Sequence, residues 1–423
     1  MAKQRILLVI PSSTYRTHDF MVAAEKLNLE IIVASDHRQA MASLVPDTSI
    51  ALNFRKPATA AEKVMRFTEK LQEKKSVVEE PFFSAITGVG DRSVYVASLI
   101  AEALGIQHNP PAALAAARNK YLMRQKISAA GLQCPDFKIF STSKNPARLA
   151  RRIKYPCVLK PVFLSASRGV ARADTPEDFV KNFKNIQNLL KNPEVINRAY
   201  DDEAKQVLVE DYIPGIEVAV EGMLIDGEFK SLAIFDKPDP LEGPHFVETI
   251  YVTPSRLPAY VQREVIHVSH YAALALGLKN GPVHSEVRIN DDGAWAVEVA
   301  GRSIGGLCSR ILQFNDGISL EELILRQAIG NDIQEIQRDR NAAGVLMIPI
   351  PRPGVLVEIQ GIEEAKAVPG IDDIIITIPS GKHVEPMPQG GQYLGFIFAN
   401  GEMPEDVEAA IRASFQKLKI DIV

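Results

Sequence analysis

A hairpin with an acid on each arm constrains this chain more than any other stretch. His284-Ser285-Glu286-Val287-Arg288 reads as a strand, Asn290-Asp291-Asp292-Gly293 as a turn, and the residues up to Glu298-Val299-Ala300 as the returning strand. The second arm runs into Gly301-Arg302-Ser303-Ile304-Gly305-Gly306, a glycine-rich loop. Glu286 and Glu298 are therefore expected to face one space. Hard carboxylate oxygens in that number suit Mg²⁺, which takes one or two protein carboxylates and completes its shell with phosphate and water oxygens. Arg302 follows closely enough to hold a developing phosphate charge. Taken alone, two glutamates on a hairpin fit a solvated surface element better, so the rest of the chain must decide.

The chain has 423 residues, which at roughly 150 per domain suggests two or three domains. A net charge of −4 gives no general attraction to nucleic acid or anionic membranes. Cys134, Cys157 and Cys308 stand singly, without metal-ligand spacing or a disulfide framework, which fits a reducing cytoplasm. No window approaches the ~18 uncharged apolar residues of a membrane span, and the apolar start is too short for a signal core. A soluble cytoplasmic protein is the expectation.

The run Ile6–Ile10 reads as a buried parallel strand ending at Pro11, followed by a helix carrying Phe20, Ala23, Ala24 and Leu27 and a second strand over Leu29–Ala34. This is the β-α-β start of a doubly wound α/β domain. Pro11–Thr14 lacks the dinucleotide glycine pattern and is at most a substrate-side loop. A strand at Ser76-Val77-Val78 and a helix over Asp91–Gly105 continue the alternation, and Asn109-Pro110-Pro111 marks a boundary. One or two helices then span Ala112–Gly131. The strand Tyr155–Pro161 carries Lys160 near its end and precedes the small-residue loop Ser165-Ala166-Ser167-Arg168-Gly169, where a lysine and free backbone N–H groups can grip phosphates. Asp174–Asn192 shows a helical apolar stripe.

Val207-Leu208-Val209-Glu210-Asp211-Tyr212-Ile213 leads through a turn to Glu217, offering backbone groups to an adenine edge and a carboxylate to ribose hydroxyls. Gly243–Thr249 reads as a loop or short strand bearing Glu248, and Leu257–Leu276 as a helix. His267 and His270 on that helix lack partners for a metal and read as packing histidines. From Ala343 onward the pattern becomes strand-rich, with Ile374–Ile378, a Gly390-Gly391 turn and a closing helix over Pro404–Leu418.

Lys120, Lys160 with its loop, Glu210 to Glu217, then Glu286 and Glu298-x-x-x-Arg302, in that order, resemble the ATP-grasp superfamily. The segment Phe246-Val247-Glu248-Thr249, the Arg302–Gly306 loop and the tail from Gly354 look most like the L-amino-acid ligases, which form dipeptides. The resemblance implies an α/β fold of three parts: an N-terminal doubly wound domain over 1–109, a two-part ATP-grasp domain over 110–342 and a small C-terminal α+β cap over 343–423. It implies ATP with Mg²⁺, or Mn²⁺ in its place, as cofactors. Lys120 and Lys160 would contact phosphates, with Ser165, Ser167 and Gly169 as a lid; Glu210, Tyr212 and Ile213 would line the adenine; Glu217 would hold the ribose.

By the same resemblance Glu286 and Glu298 are the metal-binding acids, Arg302 steadies the transferred phosphate, Gly305 and Gly306 add backbone donors, and Glu248 receives an amino group. Two departures stand out. Ala300 occupies a position where many members carry Asn, leaving a metal contact to water or to a bidentate Glu298, and Ile250-Tyr251 departs from the dipeptide ligases after the Glu248 motif. The implied activity is an ADP-forming ligase joining a small-molecule carboxylate to an amine through an acyl phosphate, in a chain expected to pair as a homodimer. The alternatives are a purine-pathway or biotin-carboxylase-like enzyme, or a catalytically silent nucleotide-binding protein.

Overall fold

The apolar run at the N-terminus becomes the strand Arg5–Ile10, all six residues buried, in a computed structural model that describes residues 3–12, 14–37, 46–75, 81–315, 317–339 and 341–423. This strand pairs in parallel with Glu30–Ser35 on one side and Ala85–Gly88 on the other, and Ser49–Ala51 completes a four-stranded sheet. Alternate side chains serve opposite layers. Leu7 and Val9 pack with Val64, Val96 and Ile100, while Ile6 and Leu8 pack with Phe20 and Ala23. Helices on both faces explain why the strand is apolar throughout rather than alternating. The strand expected at Ser76–Val78 lies outside the described residues.

Asn109 fastens the linker that follows. Its side-chain oxygen accepts the N–H groups of Lys279 and Asn280 at 2.8 and 3.0 Å. The alanine-rich segment is two helices, Pro111–Arg118 and Lys120–Ala129, broken at Asn119. Asn119 is extended, and its side chain caps the second helix by accepting from Tyr121 and Leu122 N–H at 3.1 and 3.3 Å. That cap makes Lys120 the first helical residue and turns it inward.

The next layer is an antiparallel sheet in the order Phe137–Ser141, Gln206–Asp211, Cys157–Pro161, Ala171–Ala173. Helix Pro176–Leu189 covers it, started by a capping box between Thr175 and Asp178. It buries Phe179, Phe183 and Ile186, each contributing about 1.5–3 kcal/mol of apolar transfer.

Beyond it lies an eight-stranded antiparallel sheet in the order 293–300, 281–290, 216–225, 228–236, 250–253, 342–348, 395–401, 371–376. The boundary expected at 343 thus falls on a strand that hydrogen-bonds to Ile250–Thr253. The tail is joined to the preceding domain through one continuous sheet, and helix Pro404–Phe415 closes it by setting Val407 and Ile411 against Leu346 and Ala399. A change of composition marked the tail, but composition does not show which strands pair. His267 and His270 pack against the Tyr271 ring, and His270 Nε2 lies 2.8 Å from the Gly227 carbonyl oxygen. Among the described residues no helix is long and apolar enough to cross a membrane.

Candidate active site

The three layers meet around a cavity of about 380 Å³. The acid-bearing hairpin forms as Gly281–Asn290 and Gly293–Ala300, and its register sets Glu286 directly opposite Glu298. Both line the cavity. Lys120 Nζ lies 3.0 Å from Glu298 and donates to the Leu164 carbonyl at 2.7 Å, so one lysine spans from the hairpin to the start of the small-residue loop.

Glu210 sits at the centre of a buried trio. Arg124 Nε donates to it at 3.0 Å and Lys160 Nζ lies against its other oxygen. Burial pushes the Glu210 carboxyl up, but the charges of Arg124 and Lys160 prevail and hold it at about 2. Burial pulls the Lys160 ammonium down; Glu210 opposes this, while Arg124 and Lys120 add like-charge repulsion. Arg124 also donates to the carbonyls of Ala296 and Val297 at 3.3 and 2.7 Å, tying this trio to the hairpin. Behind Glu210, Tyr212 stacks on Phe246 with ring centroids 6.5 Å apart, and the Arg172 and Arg288 guanidinium groups lie over the Tyr212 ring.

A second buried cluster is organised by Lys237, which follows the strand Glu228–Asp236. Its ammonium lies 2.7 Å from Glu217, in closer contact with Glu248, and 3.7 Å from Glu286. These carboxylates offer oxygens all within 4.8 Å of one another. Burial and the nearby Glu286 charge push the Glu248 carboxyl up, against the pull of Lys237. Glu286 moves the other way: burial raises it, but Lys237 and His284 outweigh burial.

The glycine-rich loop is fixed from two sides. Glu221, fully buried, accepts the Ile304 N–H at 3.0 Å and pairs with His284 Nδ1 at 3.0 Å. From the N-terminal domain, Arg16 donates to Ser303 Oγ at 2.6 Å and to the Ile304 carbonyl at 2.9 Å, while Glu321 holds its guanidinium. Arg302 itself forks onto Asp91. Gly306 has φ +61, and a Cβ there would stand 3.0 Å from the Phe396 ring, so a larger residue would crowd that wall of the cavity. Nothing lies within 4 Å of a Cβ at Gly305.

Of the residues singled out from the sequence, Lys120, Lys160, Ser165, Ser167, Glu210, Tyr212, Ile213, Glu217, Glu248, Glu286, Glu298, Arg302, Gly305 and Gly306 all line the cavity. Gly169 does not; it lies behind the loop against Pro161 and Leu189. Thr14 and Tyr15, in and just after the loop expected to be at most substrate-side, also reach the cavity. Sequence reading missed Asp91, Lys237, Arg16 and Arg124. Lys237 had one signal, a charged Asp-Lys pair closing an apolar strand before Pro238.

Comparison with known proteins matches two domains of the chain. Residues 153–311 match the model of an ATP-grasp domain, and residues 322–423 match L-amino acid ligase C-terminal domain 2. An alanine–anticapsin ligase of Bacillus amyloliquefaciens is 25% identical over 339 residues, 76% of this chain and 69% of that protein. An uncharacterised Sinorhizobium fredii protein is 25% identical over 303 residues, 71% of this chain but only 60% of its own length. In fold, the chain resembles the L-amino acid ligase from Bacillus licheniformis with a TM-score of 0.81 over 100% of both chains, at 23% identity. The chain thus carries an ATP-grasp domain followed by an L-amino acid ligase C-terminal domain, set around a cavity that gathers both lysines, the paired glutamates and the glycine-rich loop.

Proposed function

We propose that the protein is an ADP-forming carboxylate-amine ligase whose carboxylate substrate is an amino acid. The observation that carries this reading is the gathering of Lys120, Glu286, Glu298 and Arg302 in the same cavity as Glu248. The first four suit a terminal phosphate and a divalent ion, and Glu248 suits an ammonium group. That a protein ammonium, Lys237, already contacts Glu248 supports the last assignment.

In this reading the substrate carboxylate oxygen attacks the γ-phosphorus of ATP, the bond to the β-γ bridging oxygen breaks, and ADP leaves. An amine then attacks the acyl phosphate and releases phosphate. Lys120 and Lys160 bind phosphate oxygens, and Arg302 stabilises the charge that spreads over the transferred group. Ser165 and Ser167 form a lid over the phosphates with Gly169 anchoring the loop behind them, Glu210 to Ile213 border the adenine, and Glu217 holds the ribose. Gly305 and Gly306 present backbone N–H groups beside Arg302.

Glu286 and Glu298 fit a Mg²⁺ or Mn²⁺ ion, being hard oxygen donors opposite each other on adjacent strands; such an ion neutralises phosphate charge when bound. Glu248 orients the amino group of an amino acid substrate. The test is an ADP-release screen with Mg-ATP and pooled amino acids, dipeptides and small amines. ADP release stimulated by a pair of amino acids is the expected result; stimulation by bicarbonate instead would replace this reading with a carboxylase.

A further inference from the structure

Lys237 occupies a place that a metal ion would otherwise suit. Glu217, Glu248 and Glu286 each direct an oxygen into one space, the three oxygens lying within 4.8 Å of one another. Carboxylate oxygens in that arrangement bind Mn²⁺ and Mg²⁺ readily. What fills the space is a tethered monovalent cation: the Lys237 side chain is 3% exposed, and its ammonium lies 2.7 Å from Glu217 and 3.7 Å from Glu286 while touching Glu248. The Tyr251 ring closes the cluster, its centroid 5.3 Å from the ammonium, and Arg288 Nε approaches Glu217 from behind at 3.8 Å.

The backbone gives this lysine little freedom to leave. Pro238 follows it and restricts residue 237 to extended conformations. Asp236 precedes it and is held by Ser255 Oγ at 2.6 Å, and by the N–H and Nε of Arg256 at 2.9 and 3.0 Å. An incoming ion would have to displace this buried ammonium, and removing one partner of a buried ionic cluster leaves the others unpaired.

We propose that Lys237 is a positioning residue that excludes divalent ions from the Glu217, Glu248 and Glu286 cluster. The ion is thereby confined to the Glu286 and Glu298 side, and Glu248, one of whose oxygens contacts Lys237, keeps the other for a substrate ammonium group. The role of Glu248 rests on the ligase reading above; the exclusion of metal does not.

The test counts Mn²⁺ bound to nucleotide-free protein by electron paramagnetic resonance of the free ion. Lys237→Met is expected to bind one more Mn²⁺ per chain than the unaltered protein. Adding Glu248→Gln to Lys237→Met should remove that ion, and Lys237→Arg should match the unaltered protein. An unchanged count in folded Lys237→Met, or an extra ion that survives Glu248→Gln, overturns the proposal.

Because Lys237→Met leaves three carboxylates facing one another, a second arm uses single variants that keep the lysine. Glu217→Gln should shift Mn²⁺ affinity less than 2-fold, whereas Glu298→Ala should weaken it at least 10-fold. Equal weakening by both would mean that the cluster holds the ion, and the exclusion role falls. No arm measures turnover, so a chain that meets these expectations but ligates nothing overturns the ligase reading alone.

Discussion

Arg302 and Asp91 meet 211 positions apart in sequence, the guanidinium donating to both carboxylate oxygens at 2.8 and 3.3 Å. Asp91 opens the helix Asp91–Ala103 of the N-terminal domain, and Arg302 begins the loop after the acid-bearing hairpin. Burial pushes the Asp91 carboxyl up, yet the Arg302 charge holds it below its usual value. A fork-to-fork pair of this kind fixes the arginine plane before any ligand arrives. The N-terminal sheet domain therefore orients a residue that lines the cavity.

Asp91→Asn should separate that orienting role from packing, since the amide keeps the shape and removes the charge. Turnover is expected to fall about 10–100-fold through misplacement of Arg302. Stability should fall by about 3 kcal/mol, because the guanidinium loses its nearest counter-charge and one of its two carboxylate acceptors, keeping the amide oxygen and the Ser303 carbonyl at 3.0 Å. ADP release and thermal unfolding measured on the same preparation check this; normal turnover in the variant would show that the pair is only structural.

Acid stability should depend on Glu210. Its carboxyl is held at about 2 in the folded chain, because Arg124 and Lys160 outweigh burial. A folded-state value below the unfolded one means that the group stabilises the fold fully above the ordinary carboxylate range, about 4.3. That contribution is lost as pH falls through that range toward 2. In Glu210→Gln, stability near neutral pH should drop, and unfolding between pH 4.5 and 2 should show a shallower pH dependence than in the unaltered protein. Chemical denaturation at stepped pH measures the slope; parallel curves for the two proteins would contradict the assignment.

The hairpin, Lys160 and the glycine loop were legible because each is local: the Asn290–Gly293 turn set the two arms side by side and a glycine run marked the loop, whereas the bulge after Glu286 that brings Glu298 opposite it was not legible, and Lys120 was found only through the family resemblance. The buried partners were not legible, because they are made by tertiary contact. Arg124 reads in sequence as one more helical cation, yet it is 1% exposed and ties Glu210 to the hairpin. Arg16 likewise reads as a solvated residue before a helix and proves to hold the Ser303–Ile304 backbone from another domain. The continuous sheet across residue 343 was hidden for the same reason, since pairing between distant strands leaves no mark on composition.

The small-residue loop should be sensitive at Gly169. Its φ is +76, and a Cβ would stand 2.7 Å from Leu189 Cδ2 and 2.9 Å from Pro161 Cγ. Its N–H donates to the Pro388 carbonyl at 2.9 Å, and Arg168 Nε donates to Gln389 at 3.0 Å, so the tail latches the loop. Gly169→Ala is expected to cost about 1–3 kcal/mol in backbone strain and crowding and to raise KM for ATP. Hydrogen exchange of residues 165–169 should slow with Mg-ATP in the unaltered protein and less so in the variant. Equal protection with and without nucleotide would remove the lid role.

The reaction makes the most direct demand on the site. Lys120 and Glu298 are 3.0 Å apart, Glu286 lies across the register from Glu298, and Arg302 lines the same cavity, so the charges gather where a terminal phosphate would lie. An environment of that kind stabilises charge on the transferred γ-phosphoryl group and on the departing β-phosphate oxygens. Incubation with Mg-ATP, the carboxylic acid substrate and hydroxylamine should therefore give a hydroxamate, with ADP and phosphate in equal amounts. Glu298→Ala should abolish it, since the variant loses one of the two acids proposed to hold the metal ion. AMP and pyrophosphate as the main products would mean attack at the α-phosphate, and the roles proposed for Lys120, Arg302 and both glutamates would fall with the acyl phosphate.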